Sequence, residues 1–145
     1  IALLALGRSE VTLLELVSAY APFANGGLKV SPQGVVAVSD HGSILPVGRD
    51  RSAERAMEKA VAKDMRRMLR AVVARGTGRP ANIAADVAGK TGTSQQNRDA
   101  LFVGFSGGLV AGLWLGNDDH SPMRGVTGTD AASVWKTYMA NELAR

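Results

Sequence analysis

The chain has 145 residues, one domain's worth or part of one. Its 46% apolar content supports a real core, and the absence of cysteine excludes disulfides and thiolate metal sites. The net charge of +4 is local: residues 49–79 hold ten Lys/Arg against four Asp/Glu, and the remainder is slightly acidic. The sequence opens at Ile1 with neither Met nor a basic leader, so it reads as an excerpt or a trimmed start. The missing leader says nothing about compartment.

The first predicted element is a helix. Thr12-x-x-Glu15 is a capping box, and Val11 with Leu16 forms a hydrophobic staple across it. The helix is expected to run to about Phe23 and to stop at Asn25-Gly26-Gly27, with Pro22 bending its last turn. Residues 34–47 read as a hairpin: Val35, Val36 and Val38 precede the turn Ser39-Asp40-His41-Gly42, and Ile44, Leu45 and Val47 follow it.

A long helix is predicted over Ser52–Arg75. Met57, Val61, Met65, Met68, Leu69, Val72 and Val73 recur at helical spacing, and Gly76 is placed to cap the end. The methionines are read as core filler. Lys59, Lys63, Arg66 and Arg70 form a basic stripe, either a solvated face or an anion-binding one.

Three strands should follow, over Val87–Thr93, Leu101–Phe105 and Leu109–Leu115. Their continuous apolar character suggests a sheet covered on both faces. Ala100–Asn117 is uncharged and long enough to raise a membrane span. The turn signal Ser106-Gly107-Gly108 in its middle favours two buried strands instead. A last helix is expected from about Asp130 to Leu143, with Val134, Trp135, Tyr138 and Leu143 available for packing.

Chemistry concentrates on the first of the three strands, at Lys90-Thr91-Gly92-Thr93. Alone, a K-T-G tripeptide is weak, since a strand lysine often only blocks edge aggregation. Its setting is specific. Arg98-Asp99-Ala100, Phe102-Val103-Gly104-Phe105, Leu113-Trp114-Leu115-Gly116-Asn117-Asp118-Asp119 and Pro122-Met123 follow in order. Phe23-Ala24-Asn25-Gly26-Gly27 and Gly76-Thr77-Gly78 precede it. Nearly the whole chain therefore resembles the C-terminal part of the transpeptidase domain of class A penicillin-binding proteins.

That resemblance implies a fold of the α/β class (α+β type). It would be a partial β-lactamase/transpeptidase-like fold, with antiparallel strands flanked by helices and residues 1–145 forming one portion of a single domain. It implies a serine D,D-transpeptidase acting on peptidoglycan stem peptides that end in D-Ala-D-Ala, with β-lactams as mimics. Lys90, Thr91, Gly92 and Thr93 would bind substrate. Lys90 would hold the terminal carboxylate, the hydroxyls of Thr91 and Thr93 would assist, and the backbone N–H of Thr93 would serve the oxyanion hole. Gly92, without a side chain, would let the substrate approach. No metal and no organic cofactor is expected, and no nucleic acid.

The same resemblance puts the nucleophile's S-x-x-K and the S-x-N motif on preceding sequence, so this chain alone is expected to be inactive. The parent would work at the outer face of the bacterial inner membrane, held by an upstream anchor, and a glycosyltransferase domain is expected before it.

Other patterns compete. Ser133-Val134-Trp135-Lys136 matches S-x-x-K by letters but falls in the last helix, and Ser39-Asp40-His41 only approaches S-D-N. Asp118-Asp119-His120 could ligate a metal, but no ligand set with metal-site spacing surrounds it, which favours a polar loop. Residues 84–91 match a relaxed phosphate-loop pattern with Ala84 where the first glycine belongs. Such a loop should follow a buried strand and open a helix, and the neighbouring sequence does neither. A non-catalytic penicillin-binding module remains a further alternative, to be decided by the sequence upstream.

Overall fold

The computed structural model describes residues 10–35, 37–46, 54–83 and 85–145. Helix α1 spans Leu13–Asn25 and starts at the expected capping box. The Thr12 N–H donates to Glu15 at 2.8 Å, and the Glu15 N–H donates to the Thr12 hydroxyl at 3.2 Å. The Thr12 backbone N–H, followed by the Thr12 hydroxyl donating to the same carboxylate at 2.8 Å, holds the Glu15 carboxyl below its usual range. The helix continues through Pro22. It ends where Gly26 takes a left-handed conformation and donates to the Pro22 carbonyl. Val11 is largely exposed, so the staple expected on it is at most weak.

Strands β1 (Ala37–Asp40) and β2 (Ser43–Pro46) form the expected hairpin around a tighter turn. Asp40 pairs with Ser43, and only His41 and Gly42 turn, both at positive φ. Two such residues match the right-handed twist of the flanking strands. Val36 and Val47 lie outside the described residues.

Helix α2 spans Lys59–Arg75, seven residues shorter at its start than the sequence pattern indicates. Ser52 and Ala53 lie outside the described residues, while residues 54–57 are not helical: Arg55 forms an isolated bridge and the chain bends after it. The cause is long-range pairing. Leu28 bridges Arg55, the Lys29 N–H donates to the Glu54 carbonyl and the Ala56 N–H to that of Gly27. The Lys29–Glu54 ion pair (3.0 Å) and bonds from Arg55 to the carbonyls of Gly26 and Met57 reinforce it. Gly76 caps the other end, as expected, by donating to the Val72 carbonyl.

The sheet has the order β3-β4-β5, with β3 at Ala88–Thr93, β4 at Asp99–Ser106 and β5 at Leu109–Gly116, all antiparallel. The uncharged stretch is thus two strands joined at Gly107-Gly108, both at positive φ. No helix among the described residues is long and apolar enough to cross a membrane.

Both sheet faces are covered. Phe102 on β4 meets Trp135 of helix α3 (Gly128–Leu143) edge-on at 5.0 Å, within a cluster that includes Val73, Val87, Ala131, Ala132 and Met139. On the opposite face Ala88 and Phe105 pack with Leu69 of α2 and with Tyr20 and Phe23 of α1. The period-two alternation of β4 feeds both layers.

Helix α3 starts two residues before the expected Asp130. Thr127 caps it, and Asp130 closes a second capping box by accepting from the Thr127 N–H at 2.8 Å. Its packing face also departs from expectation. Trp135 is buried, but Val134 and Tyr138 are about half exposed, and Ala131, Ala132 and Met139 are buried instead. The two alanines let the helix axis come close to the sheet, and a larger side chain there would hold it away.

Candidate functional site

Strand β3 carries the site because it runs from the core to the rim. Ala88 and Gly89 are buried, Lys90 and Thr93 are exposed, and Thr91 and Gly92 lie between. Beyond Thr93 the chain turns through Gln96 and Asn97, both left-handed. The Ser94 N–H then returns to the Asp99 carbonyl at 3.0 Å. That bond fixes the polarity of the strand. Ser94 points its backbone inward to β4, so by the antiparallel alternation Thr93 and Thr91 point theirs to the open side. Among the described residues no strand pairs with that side of β3.

Four groups gather along this edge. The Thr93 N–H faces out. The Lys90 ammonium reaches around to the outward Thr91 carbonyl at 2.8 Å and lies 3.4 Å from the Thr91 hydroxyl. The Thr91 hydroxyl is 2.6 Å from that of Thr77, in the turn after α2. The Thr93 hydroxyl accepts from the Gly128 N–H, in the first turn of α3, at 3.0 Å. Lys90 makes no ion pair with a carboxylate among the described residues, so its charge remains available to an incoming anion.

Gly92 behaves differently from the packed glycines. A Cβ built on it would meet only Leu101, at 3.4 Å, which is ordinary contact. Its φ is not in the left-handed range either. The packing around it does not require glycine here.

The phosphate-loop alternative fails on this geometry. Lys90 and Thr91 sit mid-strand, paired with Val103 and Phe102, and only a short 3-10 turn at Gln95–Asn97, not an α-helix, follows them. Ser133 and Lys136 are exposed on α3, and the Ser133 hydroxyl donates to the Thr129 carbonyl one turn back. Ser39 and Asp40 lie in β1, and His41 in the hairpin turn. Asp118-Asp119-His120 forms a tight turn: the His120 N–H donates to the Asn117 carbonyl, and Asp119 accepts from the Ser121 N–H. Of the basic stripe, Arg66 and Arg70 converge on Asp86 at 2.6 and 2.7 Å, and Arg66 also stacks over Phe105. That half of the stripe ties α2 to the segment entering β3.

Sequence reasoning missed Thr77 and Gly128 as members of the site. The only available signal for Thr77 was its bracket of two glycines. For Gly128 it was the capping pattern Thr127-x-x-Asp130, which puts a helix N-terminus there.

Residues 1–106 match the family model described as the penicillin binding protein transpeptidase domain. The chain belongs to this family. Penicillin-binding protein 1A of Neisseria lactamica is 37% identical over 94% of the chain, and that of Aquifex aeolicus is 38% identical over the same share. The crystal structure of penicillin-binding protein 1A from Haemophilus influenzae superposes with a TM-score of 0.85 at 27% identity, covering 97% of this chain and 28% of that one. The chain spans 18% and 19% of the length of the two curated relatives. The matched region includes Lys90–Thr93, and the mixed helix and antiparallel-sheet fold agrees with the expected class.

Proposed function

We propose that the chain forms the substrate-binding side of a serine D,D-transpeptidase that cross-links peptidoglycan stem peptides and is acylated by penicillins. The nucleophilic serine and its lysine come from sequence before residue 1. The observation that carries this reading is the open edge of β3, where the Thr93 N–H, the Lys90 ammonium and the threonine hydroxyls converge beside a glycine that packing does not require.

An extended peptide ending in D-Ala-D-Ala lies along this edge as an added strand. Its terminal carboxylate meets Lys90 and the hydroxyls of Thr91 and Thr93. When the serine attacks the penultimate D-Ala carbonyl, the developing oxyanion accepts from the Thr93 N–H, with a second donor supplied elsewhere in the domain. D-Ala leaves, and the acyl group passes from serine to an amine of a neighbouring stem peptide. These steps need no metal or organic cofactor. Such a substrate places the protein in the cell envelope, with this domain outside the inner membrane and attached through an upstream anchor.

The test is stopped-flow penicillin acylation of the full-length protein, with circular dichroism to confirm folding. Lys90→Ala should slow acylation about a hundredfold, the upper scale for losing a hydrogen-bonded contact to a charged group. Ser133→Ala should stay within about twofold of the parent, its hydroxyl serving only its own helix. A folded Lys90→Ala at the parent rate refutes the assignment, and a folded but inactive Ser133→Ala moves the nucleophile to α3.

A further inference from the structure

We propose that Thr77 is a positioning residue for acyl transfer: its hydroxyl donates to the Thr91 hydroxyl, which leaves the Thr91 proton to point at the substrate carboxylate. The inference rests on the transpeptidase reading above and assigns a role to a residue outside the Lys90–Thr93 strand.

The turn holding Thr77 is tightly specified. The N–H groups of Gly76 and Gly78 both donate to the Val72 carbonyl, at 2.9 and 3.1 Å, and bracket Thr77 between them. Gly76 leaves no room for a side chain, and Gly78 leaves little. A Cβ on Gly76 would lie 2.9 Å from that carbonyl oxygen, and one on Gly78 3.2–3.3 Å from the Val72 and Val73 side chains. Val73 is itself anchored in the core beneath Phe102. The hydroxyl of Thr77 is thereby held 2.6 Å from Thr91, although the residue is exposed and carries no packing role.

The 2.6 Å separation accommodates either hydroxyl as donor, and the direction assigned to it has Thr77 donating. A hydroxyl has one proton and two acceptor sites. The Lys90 ammonium already approaches the Thr91 oxygen. With Thr77 donating as well, both acceptor sites of Thr91 are filled and its proton must point away from them, toward the open edge. Thr93 is restricted from the other side, since the Gly128 N–H fills one of its two acceptor sites. The Thr91 proton then faces the place where a carboxylate sits beside Lys90. Hydrogen bonds in such a chain polarise one another, which strengthens the terminal donor toward an anion.

The experiment compares acylation of the full-length protein by benzylpenicillin and by its methyl ester, followed by intact-mass spectrometry, with melting temperatures as a folding control. Thr77→Val and Thr77→Ala remove the hydroxyl, and Thr77→Ser keeps it. The hydroxyl-free variants should acylate about five- to tenfold more slowly with benzylpenicillin, the scale of one hydrogen bond next to a charge. Thr77→Ser should stay within about twofold of the parent. With the ester, whose carboxyl group is uncharged, the loss should shrink to about twofold or less. A purely structural Thr77 would slow both substrates equally and would show in the melting temperature. Hydroxyl-free variants at the parent rate, a Thr77→Ser variant as slow as Thr77→Val, or equal losses on acid and ester would each overturn the proposal. Lys90→Ala run alongside separates the two readings. If it is slow while Thr77→Val is not, only the role of Thr77 fails; if both acylate at the parent rate, the site assignment fails too.

Discussion

The two halves of β3 contain one glycine each, and the contrast between them separates what the fold demands from what the site demands. Gly89 is buried. A Cβ there would sit 2.6 Å from the Phe102 ring, 2.8 Å from the Val103 carbonyl oxygen and 2.9 Å from the Gly104 Cα. Three residues along, Gly92 would meet only the Leu101 side chain at ordinary distance. The first half of the strand is held from behind by α3 and from in front by α2. The second half has left the core and runs along the open edge.

The comparison breaks first at Gly89. Gly89→Ala in the full-length protein should cost about 2–3 kcal/mol, the range for overpacking a dense core, because the clashing groups include backbone that cannot move aside. Denaturant unfolding measures it. A loss under about 0.5 kcal/mol would mean that the sheet and α3 can separate there, and the core half of the contrast would be wrong.

Gly92→Ala tests the other half with the opposite signature. Stability should stay within about 0.5 kcal/mol of the parent, as for a substitution that meets only ordinary contacts. Penicillin acylation should fall about tenfold, because the new methyl group stands where the substrate backbone must approach. Equal loss of stability and acylation would show that this glycine serves the fold after all.

The same contrast explains how much could be read from the sequence. Local signals were legible: the Thr12–Glu15 capping box, the Gly42 and Gly107-Gly108 turns, and three apolar runs that pair as strands. The Lys90–Thr93 stretch was legible because its neighbours on both sides matched one family in order. Other features depend on partners distant in sequence. Residues 54–57 carry helical spacing, yet pairing with Gly27–Lys29 draws them out of α2. Helix α3 has apolar residues on more than one face, so size alone pointed to Val134 and Tyr138. The sheet instead selects Ala131 and Ala132, which permit close approach. Thr77 lies fourteen residues before Thr91, and only folding brings the two hydroxyls together.

The smallest effect is expected where the open half of β3 turns into β4. Asp99 closes that turn: its N–H donates to the Ser94 hydroxyl at 2.8 Å, and its carboxylate accepts from the Trp114 indole N–H at 2.9 Å. The indole bond, followed by the Ser94 hydroxyl, holds the Asp99 carboxyl below its ordinary value of 3.8, with weaker help from His120 and Arg98 and against a small cost of burial. The sign of the linkage follows. A carboxyl whose native pKa is depressed binds fewer protons folded than unfolded, so its stabilisation is complete above pH 3.8 and disappears as pH falls through the lower native value. Asp99→Asn keeps an acceptor for the indole but no longer titrates. At neutral pH it should cost less than about 1 kcal/mol, the net scale of one hydrogen bond. Below pH 4 the stability of the variant should decline less steeply than that of the parent. Melting temperatures of the full-length protein and the variant between pH 7 and pH 2 read both arms. Parallel acid limbs would mean that Asp99 is not tied to Trp114, and the turn leaving the Thr93 edge would then have to be held by Ser94 and the backbone alone.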